Sequence, residues 1–338
     1  MAALGVVFVA PAAHAAIGVQ KWESLTCKEN ADLPTALETP ETNFESTWPP
    51  QPGQCVGAEA SKLFTQAGGH PNYGITDFKL NTYPEGSGLE GWPTAFLKRI
   101  VVDTPEGLSV NPNALPQCET SKLLTQECPE STRVGTNYLT VAADELSETN
   151  PPHCQKYVAG KCLQARVALP VYNLVPFDGS PSMVGFLTEA GPTYIVGSLS
   201  PVDQHVTFTI SNIHPPSSTS PPIIESRLVF YSAKGPSNPN AAADGTYLTM
   251  PSNCAGGQVS FLHLASLGAP YEAESTSVED EYETPTGATG CENVPFEPEI
   301  TVTADGAKQI DSPEATTVDV GIPWDPSAPI ANSYLKVA

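Results

Sequence analysis

Basic residues are scarce in this chain: 15 Lys and Arg stand against 37 Asp and Glu, and the net charge is −22. Between Gly235 and Ala307 there is no Lys or Arg at all, while eleven Asp or Glu fall in that window. Such a surface repels phosphate backbones and anionic headgroups, so nucleic acid and acidic membranes are excluded as partners. Long apolar runs are lacking too. The longest near the start, Leu4–Ala10, is far short of the roughly 20 residues that cross a bilayer. No window of helical length carries a 3.6-residue apolar period.

The common catalytic signatures are absent as well. The chain has no G-x-S-x-G, no H-E-x-x-H, no P-loop, and no S-x-x-K followed by K-T-G. There is no C-x-x-C, and the neighbours His153-Cys154 have no second close pair, which argues against zinc. No catalytic, cofactor-binding or metal-ligating residue is assigned from the sequence, and no cofactor is expected. A glycosidase would need two positioned carboxylates, and 37 acids offer too many candidates to choose from. Glu279-Asp280-Glu281 with Glu283 lacks the alternating acids and glycine of a calcium loop and reads as a solvated acidic loop. His205 and His263 fall on expected strands as structural histidines, and His70 falls in a Gly-rich turn. Trp48, Trp92 and Trp324, all beside prolines, could stack on sugar rings or pack against turns.

What is present points outside the cell. The apolar run is followed by Pro11 and by Ala13-His14-Ala15, a small-x-small site, so residues 1–15 read as a signal peptide. No Lys or Arg precedes the run, as a start placed too late in the coding sequence would produce. Eight cysteines, Cys27, Cys55, Cys118, Cys128, Cys154, Cys162, Cys254 and Cys291, form an even set that reads as a disulfide framework in an exported chain. Pairing in sequence order gives Cys27–Cys55, Cys118–Cys128, Cys154–Cys162 and Cys254–Cys291. Each bridge would contribute roughly 3–4 kcal/mol by closing a modest loop.

With 26 glycines and 35 prolines, the chain describes short strands broken by turns. Residues 16–57 read as an irregular, disulfide-held leader. Residues 58–175 read as a first β domain, with strands at Thr76–Asn81, Phe96–Asp103, Arg133–Ala142 and Arg166–Val175. The second of these ends in the turn Thr104-Pro105-Glu106-Gly107, where Pro pre-sets φ and Gly accepts positive φ. Residues 176–305 read as a second β domain, with strands at Thr193–Leu199, His205–Ile213, Ile223–Ala233 and Gln258–Leu264. His205–Ile213 alternates most cleanly: Val206, Phe208 and Ile210 face one way and Thr207, Thr209 and Ser211 the other. Residues 306–338 read as the incomplete start of a further repeat. Thr316–Pro323 precedes Leu335-Lys336 at a spacing close to that between Thr76–Asn81 and Leu97-Lys98. The fold expected is all-β: tandem antiparallel β-sandwich modules, immunoglobulin-like in broad class, with long Pro/Gly-rich loops.

Several segments, taken in order, resemble a family of large exported repeat proteins of soil actinobacteria to which no activity is assigned. They are Gln66–Pro71, Leu97–Val102 with Pro105–Leu108 and Asn111-Pro112, Cys128–Ser131 with Val134-Gly135, and Pro170–Pro176. Asn253-Cys254, Gly290-Cys291, Pro295-Phe296 and Asp311–Pro313 follow. The resemblance covers about residues 60–338 and implies compartment and topology, with no catalytic residue or cofactor. The expected function is a non-enzymatic structural or adhesive role in the cell envelope or outside the cell, with envelope proteins or glycans as partners. The competing reading is a secreted carbohydrate-active protein, either a glycan-binding module or a glycosidase on a β scaffold.

Overall fold

A computed structural model describes residues 16–28, 63–143, 157–158, 161–177, 179–203, 205–211, 213–217, 220–232, 247–254, 256–268, 274–296, 298–304 and 316–321. The expected signal peptide, most of the leader, His153, Cys55, Cys154, Trp48, Trp324 and most of 306–338 lie outside these residues.

The described chain is all-β. Its strands are β1 (Val19–Cys27), β2 (Tyr73–Leu80), β3 (Leu97–Asp103), β4 (Ser109–Val110), β5 (Arg133–Ala142), β6 (Tyr157–Val158), β7 (Lys161–Cys162) and β8 (Gln164–Asn173). They continue as β9 (Ser182–Thr188), β10 (Gly191–Leu199), β11 (Val206–Ile210), β12 (Ile223–Tyr231), β13 (Leu248–Thr249), β14 (Val259–Leu267), β15 (Glu274–Glu283), β16 (Glu299–Ala304) and β17 (Thr316–Gly321). One short helix, α1 (Thr120–Leu124), sits inside the Cys118–Cys128 loop.

Eleven strands form one antiparallel sheet in the order β1-β2-β12-β5-β8-β9-β10-β11-β3-β14-β15. This corrects the expected division at residue 175. β12, from the second interval, lies between β2 and β5 of the first, while β3 lies between β11 and β14. The two expected tandem modules are therefore one continuous sheet. Strands that read as separate units by position pair across 100 residues or more, as β3 does with β11 and β14.

The sheet folds back so that its halves pack face to face. Trp22, Phe78 and Leu80 of β1 and β2 cluster with Leu97, Ile100, Leu262 and Leu264 of β3 and β14. Further along, Leu139 and Phe230 meet Ile195 and Phe208, with the Phe208 and Phe230 rings stacked at 6.2 Å. This is the layered burial that alternation predicts: in β11, Val206, Phe208 and Ile210 turn inward. The edge strands also meet. Ile17 N–H donates to Thr276 Oγ1 at 3.2 Å. Gly135 marks a close approach in β5, where a Cβ would collide with the carbonyl of Val229 in β12.

Two elements depart from the sequence reading. Val19–Cys27, placed in the leader, is a half-buried strand paired with β2 along its whole length. The acidic segment Glu279–Glu283, read as a loop, belongs to β15; Glu279, Glu281 and Glu283 line its exposed face, while Val278 and Tyr282 turn inward. Charge on every second residue is compatible with a strand that wets one face.

Two bridges follow the expected local pairing. Cys118–Cys128 and Cys254–Cys291 have Cα separations of 5.6 and 6.1 Å. Cys27 and Cys162 are also disulfide-bonded. Among the described residues, no helix is long and apolar enough to cross a membrane.

Candidate functional site

The outward faces of β11, β3, β14 and β15 carry a continuous chain of polar side chains. Register explains it. Thr207 lies opposite Asp103 and Asp103 opposite Phe261, while His263 lies opposite Glu279. Residues that alternate away from the core thus line up across four strands.

Asp103 is the hub. Its Oδ1 accepts from Thr207 Oγ1 at 2.6 Å and lies 3.5 Å from His205 Nε2, while its Oδ2 is 2.9 Å from His263 Nε2. His205 Nδ1 is 2.7 Å from Asp203 Oδ1, and His263 Nδ1 is 3.1 Å from Glu279 Oε2. Both nitrogens of His263 therefore face carboxylates, which accept only. The Asp203 carboxyl is held below its ordinary range, chiefly by a hydrogen bond from Ser200 and then by His205.

Beside this chain lies a groove of about 350 Å³. Asp103, Glu106, Asp203, His205, Asn253 and Phe261 line it, and among the described residues no Lys or Arg does. Phe261 stacks on His263 with centroids 6.4 Å apart. The groove wall includes Thr104 and Pro105, from the turn expected after β3; Gly107 there has φ +79°, and Leu108 N–H donates to the Pro105 carbonyl at 3.1 Å.

Thr207, His205 and Asp203 have the connectivity of a hydroxyl–imidazole–carboxylate triad, with Thr207 Oγ1 3.1 Å from His205 Nε2. The arrangement is not built for nucleophilic attack. The Thr207 hydroxyl already donates to Asp103, and Thr207 is not part of the groove lining. Asp103 likewise accepts at both oxygens, which leaves it poorly placed as a general acid or base.

The sequence placed His205 and His263 as structural histidines on strands, and both are tied into hydrogen bonds; their convergence on Asp103 was not visible. His70 holds its turn against β13, with Nδ1 3.0 Å from the Leu248 carbonyl. Trp92 is buried at 2 % exposure against Ala142, Cys162 and Ile224, so it offers no platform for a sugar. Phe261 is the aromatic at the groove instead. Its position inside an apolar strand gave no sign of that role.

Segments that carried the family resemblance meet at the far rim. Ala67 N–H donates to the Thr289 carbonyl at 2.8 Å, Gly68 N–H to Pro251 at 3.0 Å and Gln66 Nε2 to Gly290 at 3.1 Å. With the Cys254–Cys291 bridge they form one clasp beside Asn253. Among the described residues no group of three or more His, Cys, Asp or Glu is arranged to hold a metal. Comparison with protein-family models, curated proteins and solved structures finds no match.

Proposed function

We propose that this chain is a non-enzymatic exported binding protein of the cell envelope or extracellular space, and that the Asp103–Phe261 groove is its ligand site. One observation carries the reading: among the described residues the groove combines an aromatic ring and three carboxylates with no Lys or Arg, and its central acid already accepts at both oxygens. Such a surface selects a neutral or cationic polar ligand and repels anions. The even cysteine set with its local bridges supports export. The face-to-face packing of the sheet supports a β-sandwich module, immunoglobulin-like in the broad sense.

A glycan is the second reading, favoured by Phe261 beside Asn253, Asp203 and Glu106: an aromatic floor with carboxylate and amide rims suits sugar hydroxyls. Calorimetry with neutral, amino and uronate oligosaccharides tests both. Binding of neutral or amino sugars that is lost in Phe261→Ala and Asp203→Ala supports the glycan reading. Preferential binding of uronates, or binding indifferent to both substitutions, overturns the groove as the site. Release of reducing ends from any of these sugars overturns the non-enzymatic assignment.

A further inference from the structure

A second space lies behind the groove wall. The folded sheet leaves a cavity of about 80 Å³ between its layers, walled by inward side chains that include Phe78, Ile100, Val102, Phe208, Ile210 and Leu228. Thr104, Pro105 and Gln258 border both this cavity and the groove, so these three residues form the partition between the two spaces.

Gln258 is the residue whose chemistry is incomplete. It is 9 % exposed, and its side-chain Nε2 is buried with no hydrogen-bond partner among the described residues. The nearby polar pair on the opposite layer is already engaged, since Ser226 Oγ donates to Asn137 Oδ1 at 3.0 Å. A buried donor without an acceptor is unfavourable, and a ligand oxygen delivered to it removes that penalty. A largely apolar cavity accepts small apolar guests; one about twice this volume takes benzene. The acids at the groove disfavour an anion on the way in.

We propose that the interior cavity is a binding site for a small uncharged molecule of about three to five heavy atoms, apolar except for one hydroxyl or carbonyl oxygen. The apolar part packs between Val102, Ile210 and Leu228, and the oxygen accepts from Gln258 Nε2. Passage runs through the wall formed by the Thr104-Pro105 turn and Gln258. This site is distinct from the groove and does not depend on what the groove binds.

Methyl NMR tests it, with acetone as the oxygen-bearing probe and xenon as the purely apolar one. Both should shift the methyl signals of Ile100, Val102, Ile210 and Leu228, acetone with millimolar affinity. Val102→Phe, which fills the space, should abolish both responses. Because overpacking can unfold a core, Gln258→Leu provides the second arm: acetone binding should weaken roughly tenfold while xenon binding holds, the loss expected for one hydrogen bond. Asp203→Ala, a groove substitution, should leave both probes unaffected. The proposal is overturned if neither probe shifts these methyls, if the shifts persist in folded Val102→Phe, or if Gln258→Leu weakens both probes equally.

Discussion

Replacing Asp77 by alanine should be among the most destabilising single changes available in the outer layer. Asp77 lies mid-strand in β2, opposite Glu23 of β1 and Arg227 of β12. Its side chain is 1 % exposed, and Oδ2 accepts from Arg227 Nε at 2.9 Å, Arg227 Nη2 at 2.6 Å and Lys21 Nζ at 2.9 Å. Burial works against the Lys21 ammonium, yet Asp77 and then Glu23 hold its pKa above the ordinary value. The Arg227 side chain is only 10 % exposed, so losing Asp77 takes two hydrogen bonds from a guanidinium that water cannot easily reach. Breaking a buried pair in this way costs about 3–5 kcal/mol, against a total stability of about 5–15 kcal/mol for a typical domain. The melting temperature should fall by about 10 °C. Urea unfolding is the sharper assay, because an unchanged slope confirms that stability and not compactness has changed. Replacing both partners, Asp77→Ala with Arg227→Met, should recover most of the loss, since the most deeply buried pair is then removed as a whole. A single-variant loss below about 1 kcal/mol would refute the reasoning. So would a double variant as unstable as the single.

Glu225 gives a pH-dependent counterpart. Burial, and then the charge of Asp77, raise its pKa. Its contribution is therefore favourable below the ordinary glutamate pKa of about 4.3 and is lost as pH rises through the raised folded value. Glu225→Gln should melt higher than the parent at pH 7, with the gain shrinking toward pH 3; a gain that grows on acidification would contradict this. Among the disulfides, removing Cys254–Cys291, with a separation of 37, should cost about 4 kcal/mol. Removing Cys118–Cys128, with a separation of 10, should cost about 3 kcal/mol, and urea midpoints should rank the two in that order. In β16–β17, Ile300 opposite Val320 and Val302 opposite Val318 are 42–64 % exposed, so hydrogen exchange there should be orders of magnitude faster than in β5. Equal protection would mean that the hairpin is covered in solution.

Strand identity was legible wherever alternation was strong. Arg133–Ala142 is β5 as expected, and Ile223–Ala233 ends only two residues beyond β12. The sandwich partners of these strands were not legible, because nothing local to β12 says that it inserts between β2 and β5. Pairing partners are chosen by long-range packing, and an intervening stretch of turns hides the connection. β1 was missed because VQKWESLTC mixes Lys21 and Glu23 into one face. Those charges are accommodated on the sheet only by Asp77 and its neighbours, which lie more than 50 residues away in the chain.

The candidate site was half visible for a related reason. His205 and Thr207 could be assigned to the polar face of one strand from alternation alone, and His263 to another, but a face is shared by every strand that lies beside it. Only the order β11-β3-β14-β15 puts Asp103 between the two imidazoles, and β3 enters that order from the opposite half of the chain. The same step brings in Phe261, whose apolar neighbours in sequence make it look like core. Its parity is what decides: Leu262 and Leu264 alternate inward at 0 and 1 % exposure, so Phe261 and His263 must face out beside Asp103. Gln258–Leu264 read as a more fully buried strand, so neither that parity nor the identity of the neighbouring strand was legible in the sequence. A site built across strands from distant segments therefore gives up its residue types early and its geometry only when the sheet order is known.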